Sequence, residues 1–299
     1  MAQELRKLLI QKFRREKEVI FERLLSFSLP LFLLFPAVAM ILALYMFPFM
    51  SSVYKSFLTK DGAVTLTNYA KTIDLYLYDI LFTIGVTVLS TIIATVLSIF
   101  LAVYLRLSTG WIAKSIRVLY RFPIFIPFVV VAQMMRTFLA PHGFFNLFLA
   151  KAGLLNIENP LQFFNWTGLT FGFVWKQAPF MILLISGGFQ MIDDTYIEAA
   201  RSVGAKLPQI ITKVLIPMNR STIAVAITLV FCSLAGCFSF PYMLIGGKEP
   251  TTITIDIAHR VNYFGDYGVA NALGVFSYFI VGFLAIYYVR NMVKKGIYE

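Results

Sequence analysis

Few residues in this chain can do bond chemistry, and they do not gather. The two histidines, His142 and His259, stand alone in different loops, and the two cysteines, Cys232 and Cys237, share one apolar run. Five residues apart on a helix, the thiols point to different faces, so neither a disulfide nor a cysteine-rich metal site is expected. No GxxxxGK(S/T) phosphate loop is present, so the chain is not expected to hydrolyse ATP by itself. The apolar runs hold no paired carboxylates and no nucleophile–base set. No catalytic residue, metal or cofactor is expected in this chain. The polar residues that do show spacing lie in DDTYIEAARSVGAKLPQIITKVLIPM, residues 193–218. Asp193, Asp194 and Thr195 can cap a helix that carries Glu198 in its early turns, where the dipole favours negative charge. Ala199 and Ala200 keep its surface small, and Gly204 lets the backbone turn or a partner come close. Pro208 can open a second helical segment, which Pro217 ends or kinks. A small-residue knob with one carboxylate suits insertion into a cleft on another protein. The same residues also suit a plain amphipathic loop.

The elements that must position this stretch are apolar. Of 299 residues, 59% are hydrophobic and only 14% charged, about half the charged share of a soluble domain. Mean hydropathy is +0.77, and an integral membrane protein follows. Uncharged runs cover Leu24 to Tyr54, Ile80 to Leu105, Ser221 to Gly247 and Tyr267 to Val289. Each is long enough to cross a hydrocarbon core of about 30 Å as a helix. Two further runs are less clean, one with Arg121 near its start and the other with Lys176. The runs are too long and too uniformly apolar for barrel strands. The expected fold is an all-α integral membrane protein with six transmembrane helices at about 24–54, 77–105, 118–139, 166–190, 219–245 and 267–290. These form a domain over residues 24–290, with residues 193–218 as a loop and 291–299 as a tail. The first span is too long for a removable signal peptide.

Placing both termini and alternate loops on one side collects 18 of the 26 Lys and Arg residues there. The positive-inside rule makes that side cytoplasmic, and residues 193–218 with it. Spread over membrane flanks, these charges do not suit nucleic acid. Residues 1–23 mix basic and apolar residues at helical spacing, as an amphipathic segment on anionic lipid does.

Elsewhere, Pro123 and Pro127 should distort the start of the third span, either as an ordinary kink or as a broken helix beside a pathway. Lys176 reads as a packed or snorkelling lysine, or as a pathway residue. Thr67 and Asn68 can cap a short outer helix running to Leu75. PHGFFNLFLAKAG reads as a turn and a short surface helix. Gly246, Gly247 and Pro250 mark a break after which the chain can dip into the protein. Tyr242, Tyr278 and Gln177 could line a weak path, or simply pack and anchor.

EAARSVGAKLPQIITKVLIP resembles the signature of permease subunits in binding-protein-dependent ABC importers: Glu-Ala-Ala, three residues, Gly, and a proline 13 residues later. Glu198, Ala199, Ala200, Gly204 and Pro217 stand at those spacings. The resemblance runs from about Pro30 to Arg290. It implies a type I ABC importer permease fold in a bacterial or archaeal cytoplasmic membrane. It also implies a cytoplasmic coupling helix between helices 4 and 5, with Glu198 to Ala205 as the docking element. The implied partners are a second permease subunit, related but non-identical, two ATPase subunits that hold ATP and Mg2+, and an extracytoplasmic solute-binding protein. The loops around Gly143, Asn146 and the segment after Gly247 would meet that binding protein. TLTNYAKTIDLYLYDILFTIGVT, FVWKQAPFMILLISGGFQMIDDTYIEAARSVGA and FSFPYMLIGG are most similar to the spermidine/putrescine-type group, which implies a small charged solute such as polyamine, phosphonate or iron. GFFNLFLAKAGL and IGGKEPTT resemble maltose- and glycerol-phosphate-type sugar permeases, the alternative. A self-contained channel or secondary transporter would call for repeated spans or intramembrane ion ligands, and neither is evident.

Overall fold

The computed structural model describes residues 32–248 and 250–296. The amphipathic reading of residues 1–23, the start of the first span and Glu249 lie outside them. Among the described residues the chain is helical, with one isolated bridge between Leu58 and Val64. The chain divides at Lys55 into two units.

The first unit holds nearly all of α1, Phe32–Ser56, which contains a π turn at Leu42–Met46. Pro48 explains that turn: its ring crowds the carbonyl four residues earlier, and a wider turn relieves the clash.

The second unit starts with α2, Thr67–Leu107, 41 residues without a break. Thr67 and Asn68 do not cap a separate outer helix, because no Gly or Pro interrupts residues 75–80 and the outer segment fuses with the span. The N–H of Thr67 instead donates to Thr65 Oγ1 at 3.1 Å, and buried Asn68 donates to the carbonyls of Ser56 and Leu58 at 2.9 and 2.8 Å. There follow α3, Trp111–Leu119, a 3-10 turn at Phe122–Phe125, α4, Phe128–Phe138, and α5, Phe144–Lys151. Next come α6, Trp166–Gln190, α7, Asp194–Ser202, α8, Leu207–Met218, and α9, Arg220–Ala235. The chain then forms α10, Ser239–Ile245, α11, Ile253–Asn262, and α12, Tyr267–Gly296.

By length and composition α1, α2 and α6 can each cross a membrane. Two bent pairs qualify jointly: Trp111–Phe125 with α4, bent by 105°, and α8 with α9, bent by 73°. The described apolar stretch of α12, Tyr267–Phe283, is shorter. The fifth run is interrupted again at Gly236, so Cys237 lies in a link beyond the end of α9 and not on the helix that carries Cys232.

The centre of the second unit is α2 packed along α6. Much of the face that α2 buries is small residues, including Thr83, Thr87, Ser90, Thr91, Ala94, Ser98 and Ala102. Small side chains let helix backbones approach where lipid removes the usual apolar drive to associate. The hydroxyls of Thr83 and Thr91 bond carbonyls one turn back at 2.7 Å, so they add no unsatisfied polar atom. On α6, Gly172 does the same for Phe240: a Cβ there would sit 2.1 Å from the ring. After Gly246 and Gly247, both at positive φ, the chain does dip inward. Thr251, Thr252, Ile253 and Asp256 are buried. The Thr251 N–H donates to Asp79 Oδ1 at 2.9 Å, and the Ile253 N–H to Thr83 Oγ1 at 3.0 Å.

Candidate functional site

Residues 193–218 fold as helix, tight turn, helix. Asp193 is the N-cap of α7: its Oδ1 accepts the Thr195 N–H at 2.9 Å. That hydrogen bond favours the carboxylate and lowers the Asp193 pKa below its ordinary value. Asp194 and Thr195 are not caps. Asp194 pairs with Arg106, whose Nη2 lies 2.5 Å from Oδ1. Arg106 also donates from Nε to the Phe189 carbonyl and from Nη2 to the Ile192 carbonyl, both at 2.9 Å. The last turn of α2 therefore holds the end of α6, the linking residue and the first residue of α7 together. Free carbonyls at a helix end need donors, and a guanidinium supplies several in a fixed fork. In the sequence Arg106 is one more basic residue at the end of an apolar run. The sole signal was an arginine in the last turn of one apolar run, more than 80 residues before its partners.

The far end of α7 is closed by Gly204 at φ +78°. The Gly204 N–H donates to the Arg201 carbonyl at 2.9 Å and the Ala205 N–H to the Ala200 carbonyl at 3.0 Å. This paired arrangement ends a helix with one left-handed residue, the conformation glycine adopts without a Cβ penalty. A Cβ at Gly204 would meet nothing within 4 Å, so the glycine serves the turn and not packing inside this chain.

Burial sorts the signature residues. Ile197 is buried, and Ala200 and Ala205 are half-buried against the main core. Glu198 and Ala199 are exposed, together with Tyr196, Arg201, Ser202 and Val203. The outward surface is thus one face of α7 and its tip, on a base fixed by Ile197 and Arg106. Beyond the turn, Gln209 Oε1 accepts the Lys206 N–H at 2.8 Å, and Pro208 stands in the first turn of α8. Pro217 is exposed and follows a π turn at Ile211–Leu215, at the same offset as Pro48 from its own π turn. The sharp bend comes two residues later, at Asn219. Asn219 is buried and donates to the Ile185 carbonyl at 3.1 Å. A Cβ on Gly188 would sit 2.0 Å from Asn219 Oδ1, so glycine is what admits the amide to α6.

The three path candidates occupy different surroundings. Gln177 is buried on α6 and donates to Ser233 Oγ at 2.7 Å, tying α6 to α9. Tyr242 is partly exposed on α10 and stacks on Phe238, with ring centroids 5.2 Å apart. Tyr278 is exposed on α12. An open apolar groove of about 1340 Å³ lies between α4, α6 and α10, lined by residues such as Val130, Met134, Phe171, Trp175 and Met243; none of the three candidates lines it. His142 is among its lining residues. His259 packs edge-on against Tyr263, with centroids 5.5 Å apart. The side chain of Asn146 is fully buried, so it cannot face another protein. It donates to the Ala140 and Leu161 carbonyls and accepts the Leu161 N–H, closing its own loop.

Residues 94–296 match the family model described as binding-protein-dependent transport system inner membrane component. The spermidine/putrescine transport system permease protein PotB of Salmonella typhimurium is 27% identical over 221 residues, 70% of this chain and 75% of that protein. The trehalose/maltose transport system permease protein MalF of Thermococcus litoralis is 28% identical over 159 residues, 50% of this chain and 52% of the relative. Among solved structures, a bacterial ABC transporter that imports the acidic polysaccharide alginate contains a chain of the same fold. Its TM-score is 0.71 at 20% identity, over 91% of this chain and 98% of that one.

Proposed function

This chain belongs to the family of binding-protein-dependent transport system inner membrane components, and from that premise we propose how it works within an ABC importer. It is a membrane permease subunit, a transport component and not a catalytic one. Residues 193–218 form its coupling element. The exposed face of α7, with Tyr196, Glu198, Ala199 and Val203, docks in a groove on a cytoplasmic ATPase subunit. One observation carries this: a small exposed helix stands on a base that Arg106 fastens to the ends of two spans. A movement imposed on α7 is thereby delivered to α2 and α6 and not lost in a flexible loop.

The complete importer holds a second, related permease subunit, two ATPase subunits carrying ATP and Mg2+, and a solute-binding protein on the outer face. Both termini of this chain are cytoplasmic, in line with the basic residues of its loops. The transported solute is a small charged molecule, a polyamine first. The broader coverage of the spermidine/putrescine permease supports this over the sugar reading.

Purification of the chain from its own membrane with associated proteins tests the assembly. An ATPase, a second permease subunit and a binding protein are expected, and the binding protein should take spermidine more tightly than maltose. Gly204→Asn tests the docking tip. Asparagine tolerates positive φ, so the turn persists while a side chain is added at the tip. The variant should insert normally and retain less ATPase. Unchanged ATPase retention would remove Gly204 from the docked surface.

A further inference from the structure

Lys176 lies near the middle of α6 and is only 8% exposed. Its Nζ donates to the carbonyls of Pro123, Ile124 and Ile126 at 2.8, 3.1 and 2.6 Å, and it lies 5.4 Å from the centre of the Phe128 ring. The match is one to one, since an ammonium has three donors and the turn offers three acceptors. The acceptors exist because the third run is broken: Pro127 has no N–H, and the chain turns through 105° between Trp111–Phe125 and α4. Such carbonyls cannot stay bare in apolar surroundings. No carboxylate forms an ion pair with Lys176 among the described residues. Its charge is directed at main-chain dipoles and at the Phe128 ring.

The same helix reaches the coupling element. From Lys176 to Gln190 α6 runs about 21 Å as one helix, with Pro179 inside it. At that end its carbonyls and α7 are held by Arg106. We propose that Lys176 is a positioning residue that pins the broken turn Phe122–Ile126 to α6, so that a displacement of α7 moves the break together with α6 as one body. The inference rests on the importer reading. It assigns the lysine a part in transmission and not in contacting solute.

The test measures a distance and needs no knowledge of the solute. Spin labels are placed at Phe125→Cys and Gln190→Cys, both exposed positions, after Cys232→Ser and Cys237→Ser. Pulsed electron resonance then gives the distance in the complex with its ATPase subunits, free of nucleotide and trapped with ATP and vanadate. With Lys176 present, one narrow distance is expected in both states. Lys176→Met should shift or broaden it by about 5 Å, one helical turn, in at least one state. Lys176→Arg keeps the charge, but its planar fork cannot set one nitrogen among three carbonyls, so an intermediate effect is expected. If the methionine variant does not assemble, the arginine variant decides by the same distances. A distance that changes between states with Lys176 present, or variants that keep the native distribution, overturns the pin. A chain that recruits no ATPase overturns the importer reading instead. The lysine and methionine forms of the permease alone then still test the pin: equal narrow distributions overturn it.

Discussion

Two bends in this molecule answer the same problem in opposite ways. Both stand beside proline, and both are secured to α6. At Phe122–Pro127 the break supplies acceptors, and α6 extends a long charged side chain to reach them. At Asn219 the break supplies the donor, and α6 offers a backbone carbonyl beside a glycine notch. A lysine spans the gap on a four-carbon stem, and its ammonium is then held by three carbonyls at once. A buried amide wedged against Gly188 has no such reach. The difference separates a charged fastening that bridges a gap from a direct one made at backbone contact, with the direct one nearer the coupling element.

The comparison can be broken most severely at the notch. Gly188→Val should expel Asn219 and keep the chain from accumulating in the membrane, read by its yield in the membrane fraction. Normal yield would show that the contact gives way cheaply. Next, Lys176→Met should lower thermal stability in detergent, since each carbonyl left buried without a donor costs about 1–3 kcal/mol. An unchanged unfolding midpoint would mean that water or a rearranged turn replaces the ammonium. A sharper version pairs Gly188→Ala with Asn219→Ala. Each alone should cost about 1–3 kcal/mol, through overpacking or the lost bond. The double variant should cost less than the sum, because removing the amide makes room for the methyl group. Strict additivity would place the two residues in separate contacts.

The smallest effect is expected at the cap of α7. The Asp193 pKa is lowered in the folded chain by the Thr195 N–H, so its capping contribution is complete above the ordinary aspartate range. That contribution is lost only as pH falls through the depressed value. Hydrogen exchange of α7 should therefore show constant protection between about pH 5 and 8 and faster opening only in stronger acid. Asp193→Asn keeps an acceptor oxygen and should abolish the acid dependence. Acid sensitivity that survives in Asp193→Asn would assign it to another group.

What could be read from the chain alone follows from how far apart the interacting residues lie. The cap at Asp193, the turn at Gly204 and the segment opened by Pro208 depend on neighbours within a few residues, and the type and spacing of those neighbours announced them. Pro217 was the expected stop, yet the bend falls at Asn219. The proline is accommodated by a π turn, while the amide finds its partner 34 residues away on another helix. Arg106 and Lys176 have the same character, with partners 83 and about 50 positions distant. Composition shows a charge in an apolar run but not which carbonyls it answers. One usable signal was present: two prolines beginning one span free main-chain acceptors, and a lone lysine inside the next span is a candidate donor. The path candidates were legible only as residue types, and the fold distributes them among α6, α10 and α12.

The unbroken length of α2 has a consequence for the lipid around it. Forty-one residues make a rod about 60 Å long, roughly twice the thickness of a hydrocarbon core. Two of its fastenings, Asn68 to the Ser56 and Leu58 carbonyls and Arg106 to the end of α6, are 38 positions apart, too far to lie within one hydrocarbon core. A thicker or thinner bilayer slides along such a rod without loosening either end. Reconstitution in lipids of graded chain length should therefore leave the Arg106 junction intact, and any dependence on bilayer thickness should originate in the bent spans.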